Sequence, residues 1–459
     1  MRKYKIILVF ILLAIVNYNC QKKSKQLYNK NLPVAVVEAI EKRIEEGINP
    51  SIALALIDSS GIQYFNFGKT ADDGMEVNRN TVYEIGSISK VFTAILLAQQ
   101  VLDDELKLND EINDFLPDSI KIPVMGDTEI TFGNLSDHTS GLPRMPDNFA
   151  PSNPNNPYLD YTIEQMYEFI SNYTPIRAVG FEYEYSNLAQ GLLGNLLARN
   201  KNTTYEDLMV KTIAGPLELK DTRIVLTEKM RENLALGHSG GQIVENWDIP
   251  TLAGAGGIRS STFDMANFIS ANLGYANTEL TKTMELTHKV RHHKAGEMSV
   301  GLGWHITEGS NGDIIWHNGG TGGYRAFAGF VKESGQGVVL LTNSTNGADD
   351  IGLNLLDPES DLAELKFKSD AIELPEKILK KYIGVYEIEP NFFITLTLEG
   401  SQLFARGTGQ EKSPIYPESN VKFFSPIDGI EITFQIEEQQ VKSLEVIQNG
   451  NKIPAKKIK

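Results

Sequence analysis

Ser87 and Lys90 stand three residues apart in the stretch Glu84-Ile-Gly-Ser-Ile-Ser-Lys-Val-Phe-Thr-Ala-Ile-Leu-Leu-Ala98. The small-residue turn Gly86-Ser87 leads into an apolar, helix-favouring run from Val91 to Leu97, which predicts Ser87 at or near a helix N-terminus. Unpaired backbone N–H groups there favour developing negative charge. Lys90, one helical turn on, can lay its amine beside the Ser87 hydroxyl. A serine with a desolvated lysine beside it is one solution to making a hydroxyl nucleophilic near neutral pH. The pattern is short, and its bland reading is an N-capping serine followed by a surface lysine. The weight therefore falls on partners elsewhere in the chain. Two stretches qualify: Glu184-Tyr185-Ser186-Asn187 directly before a helical pattern, and Trp316-His317-Asn318-Gly319-Gly320-Thr-Gly-Gly-Tyr324 directly after a strand-like run.

Two rival chemistries are weaker. Gly237-His-Ser-Gly-Gly241 has the form of a nucleophile elbow around Ser239, but that motif needs a buried strand before it and a helix immediately after. Its flanks, Arg231–Leu236 and Gly241–Glu245, carry no helix start. His288, His292 and His293 could place two imidazoles on one helical face, yet no Glu or Asp stands in the local pattern and Lys and Arg surround it. A solvated basic turn is the expectation there, with no metal. Neither a phosphate loop nor a dinucleotide fingerprint is present, so a cofactor is not expected.

The elements that must position these residues follow from pattern. Val34 to Ile48 reads as an amphipathic helix, and Ser51–Asp58 with Gly61–Gly68 as a hairpin about Ser59-Ser60-Gly61. Arg144 to Tyr158 is rich in Pro and Asn and aperiodic, a long loop of the kind that overhangs binding sites. Helical patterns follow at Ile163–Asn172, Leu188–Ala198, Tyr205–Ile213 and Phe263–Leu273. Strand-like runs return at Gly301–Ile306, Asp313–His317, Tyr324–Val331 and Gly337–Asn343. Strands at both ends and helices between predict one sheet built from distant parts of the chain, with a helical region inserted. Residues 356–374 read as a charged linker. From 375 to 459, runs such as Phe393–Leu398 and Glu431–Ile436 alternate with period two, which predicts a small all-β domain.

Bulk composition narrows the partners. The chain has 459 residues, 41% of them hydrophobic, and a formal charge of −16, which excludes the basic footprint of a nucleic-acid binder. Arg2, Lys3 and Lys5 precede the apolar run Ile6–Val16, the pattern of an export signal. Cys20, the single cysteine, follows this run. Residues 1–20 are thus expected to be a signal peptide ending at a lipidated cysteine, and 21–33 a polar tether to a membrane. Without lipidation the chain would be secreted or periplasmic. Intact mass decides: mature protein should begin at an acylated Cys20, and any other N-terminus sinks the anchor. Loss of the first nineteen residues, which carry three basic groups and no acid, leaves a formal charge of −19.

Ser-x-x-Lys at Ser87 and Lys90, Tyr-x-Asn at Tyr185 and Asn187, and His-x-Gly at His317 and Gly319 occur in that order. With Leu135-Ser-Asp-His-Thr-Ser-Gly-Leu-Pro143, Gly256-Gly-Ile-Arg-Ser-Ser-Thr262 and Val339-Leu-Leu-Thr-Asn343, they make residues 35 to 350 resemble the penicillin-recognising serine hydrolases. The resemblance is to the branch holding class C β-lactamases, D-Ala-D-Ala carboxypeptidases, D-aminopeptidases and β-lactamase-like esterases. It implies an α/β fold over 34–355: an antiparallel β-sheet flanked by helices, a mostly helical subdomain, and Ser87 in the cleft between. A small β module often trails such hydrolases.

The resemblance also implies roles. Ser87 would attack a carbonyl carbon and become an acyl-enzyme. Lys90 and Tyr185 would share the proton work, a phenol with its pKa lowered by a nearby ammonium being one candidate base. Which of the two acts first stays open. Asn187 would orient Lys90 and bind a substrate amide, and the N–H groups of Ser87 and Gly320 would form the oxyanion hole, with Gly319 allowing close approach. Class C β-lactamases carry lysine where His317 stands, and histidine is only partly protonated at pH 7 unless a neighbour raises its pKa. That favours a D-peptidase or esterase over a dedicated β-lactamase. The substrate, a D-amino-acid peptide, a small ester or a β-lactam, stays open. A non-catalytic peptidoglycan- or β-lactam-binding sensor on the same fold is the alternative, though a pure binder would not need Lys90 and Tyr185 together.

Overall fold

Strand β1 (Ser51–Asp58) is apolar on both faces, so both must be covered. Ile52 and Leu54 enter one core, while Ala53, Ala55 and Ile57 enter the other. The computed structural model describes residues 32–71, 73–123, 125–293, 298–389, 392–408, 412–426, 430–448 and 451–459. The expected signal peptide, Cys20 and most of the tether lie outside the described residues. Among the described residues, no helix is long and apolar enough to cross a membrane.

The main sheet has eight strands: β1, β2 (Gly61–Gly68), β3 (His292–His293), β4 (Met298–Val300), β5 (His305–Thr307), β6 (Ile314–Gly320), β7 (Arg325–Val331) and β8 (Gln336–Thr342). Their spatial order is β2-β1-β8-β7-β6-β5-β4-β3, and every pairing is antiparallel. The hairpin predicted early in the sequence therefore joins the strands predicted late in it, through β1 and β8, as one sheet.

Each face is covered by helices. On one, α1 (Val34–Glu45) and α8 (Asp349–Leu356) pack Val36, Ile40, Ile351 and Leu356 against Ile52, Leu54, Val338 and Leu340. On the other lie α2 (Ser89–Leu102) and α7 (Thr262–Asn272), whose Phe92 and Phe268 rings stack at 4.3 Å. α2 is buried almost all round, in keeping with its largely apolar sequence. Each such fully buried Phe or Ile contributes roughly 1.5–3 kcal/mol.

The inserted helical region comprises α3 (Phe132–Ser136), α4 (Ile163–Asn172), α5 (Asn187–Asn200) and α6 (Tyr205–Met209). Side-chain caps from Thr131, Thr162, Ser186 and Thr204 start all four. The helix expected over Tyr205–Ile213 turns into a π-helical turn at Val210–Ala214.

The C-terminal strands, from Gly384–Glu389 to Asn451–Lys457, close into an eight-stranded barrel. Its interior holds Tyr386, Ile394, Leu396, Leu403, Phe423, Ile432, Phe434 and Leu444. The period-two runs supply these inward residues, and closure leaves no open sheet edge. In the charged stretch before the barrel, Lys42 of α1 lies 3.8 Å from the Phe367 ring centroid and 3.7 Å from Asp370.

One sequence expectation is corrected here. His288 is not part of a solvated turn: its ring packs edge-on against Trp304 and Phe330, and its Nε2 lies 2.9 Å from Asn272 Oδ1. Burial pushes its pKa down to about 3. The flanking charge that suggested exposure includes Arg291, which is paired with Asp137 at 3.1 Å. His292 sits on the edge strand β3, and the side chain of His293 lies outside the described residues.

Candidate active site

Ser87 lies in a single 3-10 turn, Gly86–Ile88, that feeds directly into α2. The turn is pressed against the end of β6, and glycine is required on both sides. Gly86 has φ +49°, and a Cβ there would fall 2.6 Å from the Gly320 nitrogen. A Cβ on Gly319 would fall 1.9 Å from the Ile85 carbonyl oxygen and 3.1 Å from the Ser87 nitrogen. This contact brings the Ser87 N–H alongside the Gly319–Gly320 peptide. Behind it, Asn318 Nδ2 donates to Asp349 Oδ2 at 2.6 Å, and the Arg325 guanidinium packs on Gly320.

Lys90 is fully buried one turn into α2. Its Nζ lies 2.8 Å from Ser87 Oγ and 2.6 Å from the carbonyl oxygen of Ala255, within the glycine cluster seen in the sequence. Burial, with a smaller push from Arg144, drives the Lys90 pKa well below the usual lysine range. A neutral amine can donate to Ala255 and take the Ser87 hydroxyl proton on its lone pair.

Tyr185 ends the extended segment before α5, where Ser186 caps the helix and donates its own N–H to His138 Nδ1 at 3.1 Å. The Tyr185 ring stacks on His138 at 4.6 Å, and Lys90 Nζ sits over its face, 4.7 Å from the centroid. The expectation of a phenol lowered by an ammonium is corrected by this geometry. Burial raises the Tyr185 pKa above the ordinary phenol value and outweighs the opposing hydrogen bond with Ser87. The lysine amine lies against the ring face and is itself held toward neutrality, and the opposing pull of the Arg144 guanidinium is smaller than the effect of burial.

Asn187 opens α5, but its amide reaches Met145 Sδ at 3.8 Å and makes no hydrogen bond to Lys90. Lys90 is oriented by the Ala255 carbonyl instead. His317 on β6 is buried, its ring 4.5 Å from that of His305 and 6.3 Å from that of Tyr185. Its burial, then His305 and Lys90, push its pKa well below the normal histidine value. Each of these influences favours the uncharged imidazole at this position.

The structure adds two histidines that sequence reasoning did not assign. His138 sits inside the quoted Leu135–Pro143 phrase, at φ +63°, a conformation no local pattern announces. It is kept neutral by burial first and then by Lys90. His305 reaches the site from β5 because it pairs with Trp316 across the sheet. Ser239, by contrast, lies in a two-residue hairpin strand paired with Gln242–Ile243 about Gly240 and Gly241, and no helix starts immediately after it.

The Arg144–Tyr158 loop begins beside the site, with the Arg144 guanidinium 5.1 Å from the Tyr185 ring centroid and Met145 Sδ 3.8 Å from the Asn187 amide. Tyr158 packs on Phe149 at 5.0 Å and on Trp247 at 5.3 Å. Asn156 and Asp248 exchange hydrogen bonds of 3.0 and 2.8 Å, which tie the loop to the segment bearing Trp247.

A serine and a buried lysine at a sheet–helix junction, faced by a tyrosine and a glycine-edged strand, define the class, and comparison with known proteins agrees. The chain belongs to the beta-lactamase family, whose model matches residues 36–359, and it is a serine hydrolase of that family. Residues 368–454 match a domain of unknown function (DUF3471). A beta-lactamase of Pseudomonas fluorescens is 28% identical over 345 residues, covering 67% of this chain and 92% of that protein. The D-alanyl-D-alanine-carboxypeptidase/endopeptidase AmpH of Escherichia coli K12 is 28% identical over 311 residues, covering 64% and 79%. A class C beta-lactamase structure superposes with TM-score 0.63 at 21% identity, covering 72% of this chain and 96% of that one. A beta-lactamase/D-alanine carboxypeptidase from Pseudomonas syringae gives 0.60 at 22%, covering 68% and 93%. These structures share the fold.

Proposed function

We propose that this chain is an exported hydrolase that opens an amide or ester carbonyl through a Ser87 acyl-enzyme, and that it prefers a D-amino-acid peptide or small ester to a β-lactam. The observation that carries the reading is the 2.8 Å contact between Ser87 Oγ and a fully buried Lys90. The Ser87 proton passes to Lys90 Nζ as Oγ bonds to the carbonyl carbon. The oxyanion so formed takes hydrogen bonds from the Ser87 and Gly320 N–H groups. As the intermediate collapses, the Tyr185 hydroxyl protonates the leaving group and regains its proton from Lys90; water then cleaves the acyl-enzyme by the same relay reversed. Asn187, His317 and Gly319 shape the space the substrate enters.

Preference against β-lactams is supported by a neutral, buried His317 where a lysine would offer a permanent charge to the β-lactam carboxylate. The test is a panel of a D-Ala-D-Ala peptide, p-nitrophenyl butyrate and benzylpenicillin. The peptide or the ester should exceed penicillin in kcat/KM by about 10-fold or more, about 1.4 kcal/mol of transition-state binding. Penicillin turned over best of the three would overturn the preference.

A further inference from the structure

Charge around the site is unevenly committed. The chain is acidic overall, at −16, so any anionic substrate meets net repulsion unless a local cation offsets it. Most basic groups around the site are committed. Lys90 is turned inward to Ser87 and Ala255. Arg177 pairs with Glu184, Arg291 with Asp137, and Arg259 with Glu84 and Asp248. Arg325 directs Nη1 to the carbonyl oxygens of Thr321 and Tyr324, both at 3.1 Å.

Arg144 differs. It is exposed, and its guanidinium lies over the Tyr185 ring, 5.1 Å from the centroid, on the cleft wall. Among the described residues, no carboxylate pairs with it and its guanidinium donates no hydrogen bond. Its backbone is nonetheless fixed, because its carbonyl oxygen accepts the N–H groups of Asn187 at 3.0 Å and Leu188 at 3.3 Å. The first turn of α5 thus holds Tyr185, Asn187 and Arg144 in one constellation. A stacked guanidinium with its fork unspent suits a carboxylate, which it can meet with two parallel hydrogen bonds.

We infer that Arg144 is the specificity-determining residue of this site, selecting esters or amides that carry a free carboxylate near the scissile bond. The inference rests on the hydrolase reading above. It moves charge recognition from the strand edge at His317 to the loop beside Tyr185, and so admits anionic substrates of a different shape from those a charge on β6 would hold.

Two matched ester pairs test it. In the first the charge is in the acyl part, mono-p-nitrophenyl adipate against its terminal amide. In the second it is in the leaving group, 3-carboxyphenyl butyrate against 3-carbamoylphenyl butyrate. The wild-type protein should favour the anionic member of at least one pair by about 10–100-fold in kcat/KM, the worth of a charge-assisted hydrogen bond. That ratio should collapse towards one in Arg144→Gln, survive in part in Arg144→Lys, and invert in Arg144→Glu. A wild-type ratio near one in both pairs overturns the inference. So does an Arg144→Gln variant that slows both members alike and leaves the ratio intact, which is the mark of a merely structural role. If no ester is turned over and Ser87 takes no fluorophosphonate, the hydrolase reading fails and this inference with it. Ser87 labelled with ratios near one sinks Arg144 alone.

Discussion

Ser87→Ala is expected to abolish both covalent labelling by a fluorophosphonate and turnover of p-nitrophenyl butyrate, leaving at most the slow catalysis that bound substrate and oxyanion donors sustain. In serine hydrolases generally that residue amounts to about 10³–10⁴ over water. The argument is geometric. Ser87 carries the hydroxyl hydrogen-bonded to Lys90 among the described residues, and it sits where its own N–H and the Gly319–Gly320 peptide meet. Removing one oxygen from this half-buried turn leaves Gly86 and the capping geometry of α2 untouched, so the variant should fold as the parent does. Ser239→Ala is the control, because the neighbouring His238 turns its Nδ1 to the Asn343 carbonyl oxygen, 3.1 Å away, and no helix starts at the hairpin. Peptide mapping reads the result without knowledge of the natural substrate. A label found on Ser239, or one that persists in Ser87→Ala, would refute the assignment.

How much of this could be read beforehand varied with the range of the interaction involved. The Ser87–Lys90 contact depends on one helical turn, and residue spacing states it directly. The glycines after His317 suggested a strand edge open to substrate; that Gly319 is also needed for the close packing of Ile85 and Ser87 was not legible, because those residues lie far away in the chain. The sheet's joining of distant segments followed from strands at both ends of a helical insertion. Proton energetics did not follow, because they depend on desolvation by groups remote in the chain. Ala255 holds Lys90, and His138 covers Tyr185. The burial of His288 escapes local pattern for the same reason: its neighbours in sequence are charged, while its neighbours in space are Trp304 and Phe330. Period two in the C-terminal region announced strands, but closure of the barrel depends on the pairing of Tyr386 with Lys457, which no local pattern encodes.

The proton carriers provide the second large effect. Lys90→Ala and Tyr185→Phe should each slow acylation of Ser87 by about 10²–10⁴-fold, the range for removal of a positioned acid or base. They should differ in what survives. Tyr185→Phe keeps the ring that stacks on His138 and loses only the hydroxyl, so its melting temperature should stay near the parent's. Lys90→Ala empties a fully buried site and strips the Ala255 carbonyl of its donor, so it should also melt lower. The pH profile separates their roles. A base works only when deprotonated, so kcat/KM is lost as pH falls through its pKa. Because burial lowers Lys90, that acid limb should lie well below the ordinary lysine value of about 10.4, leaving the enzyme active near neutrality. The limb belongs to the coupled Lys90–Tyr185 pair as a whole. It should nevertheless persist in Tyr185→Phe, since burial keeps the phenol protonated and leaves the amine to accept the first proton. A limb that vanishes with the Tyr185 hydroxyl would make a phenolate the base. A limb near 10 in the parent would mean that the buried lysine keeps its charge, and the neutral-amine mechanism would fall.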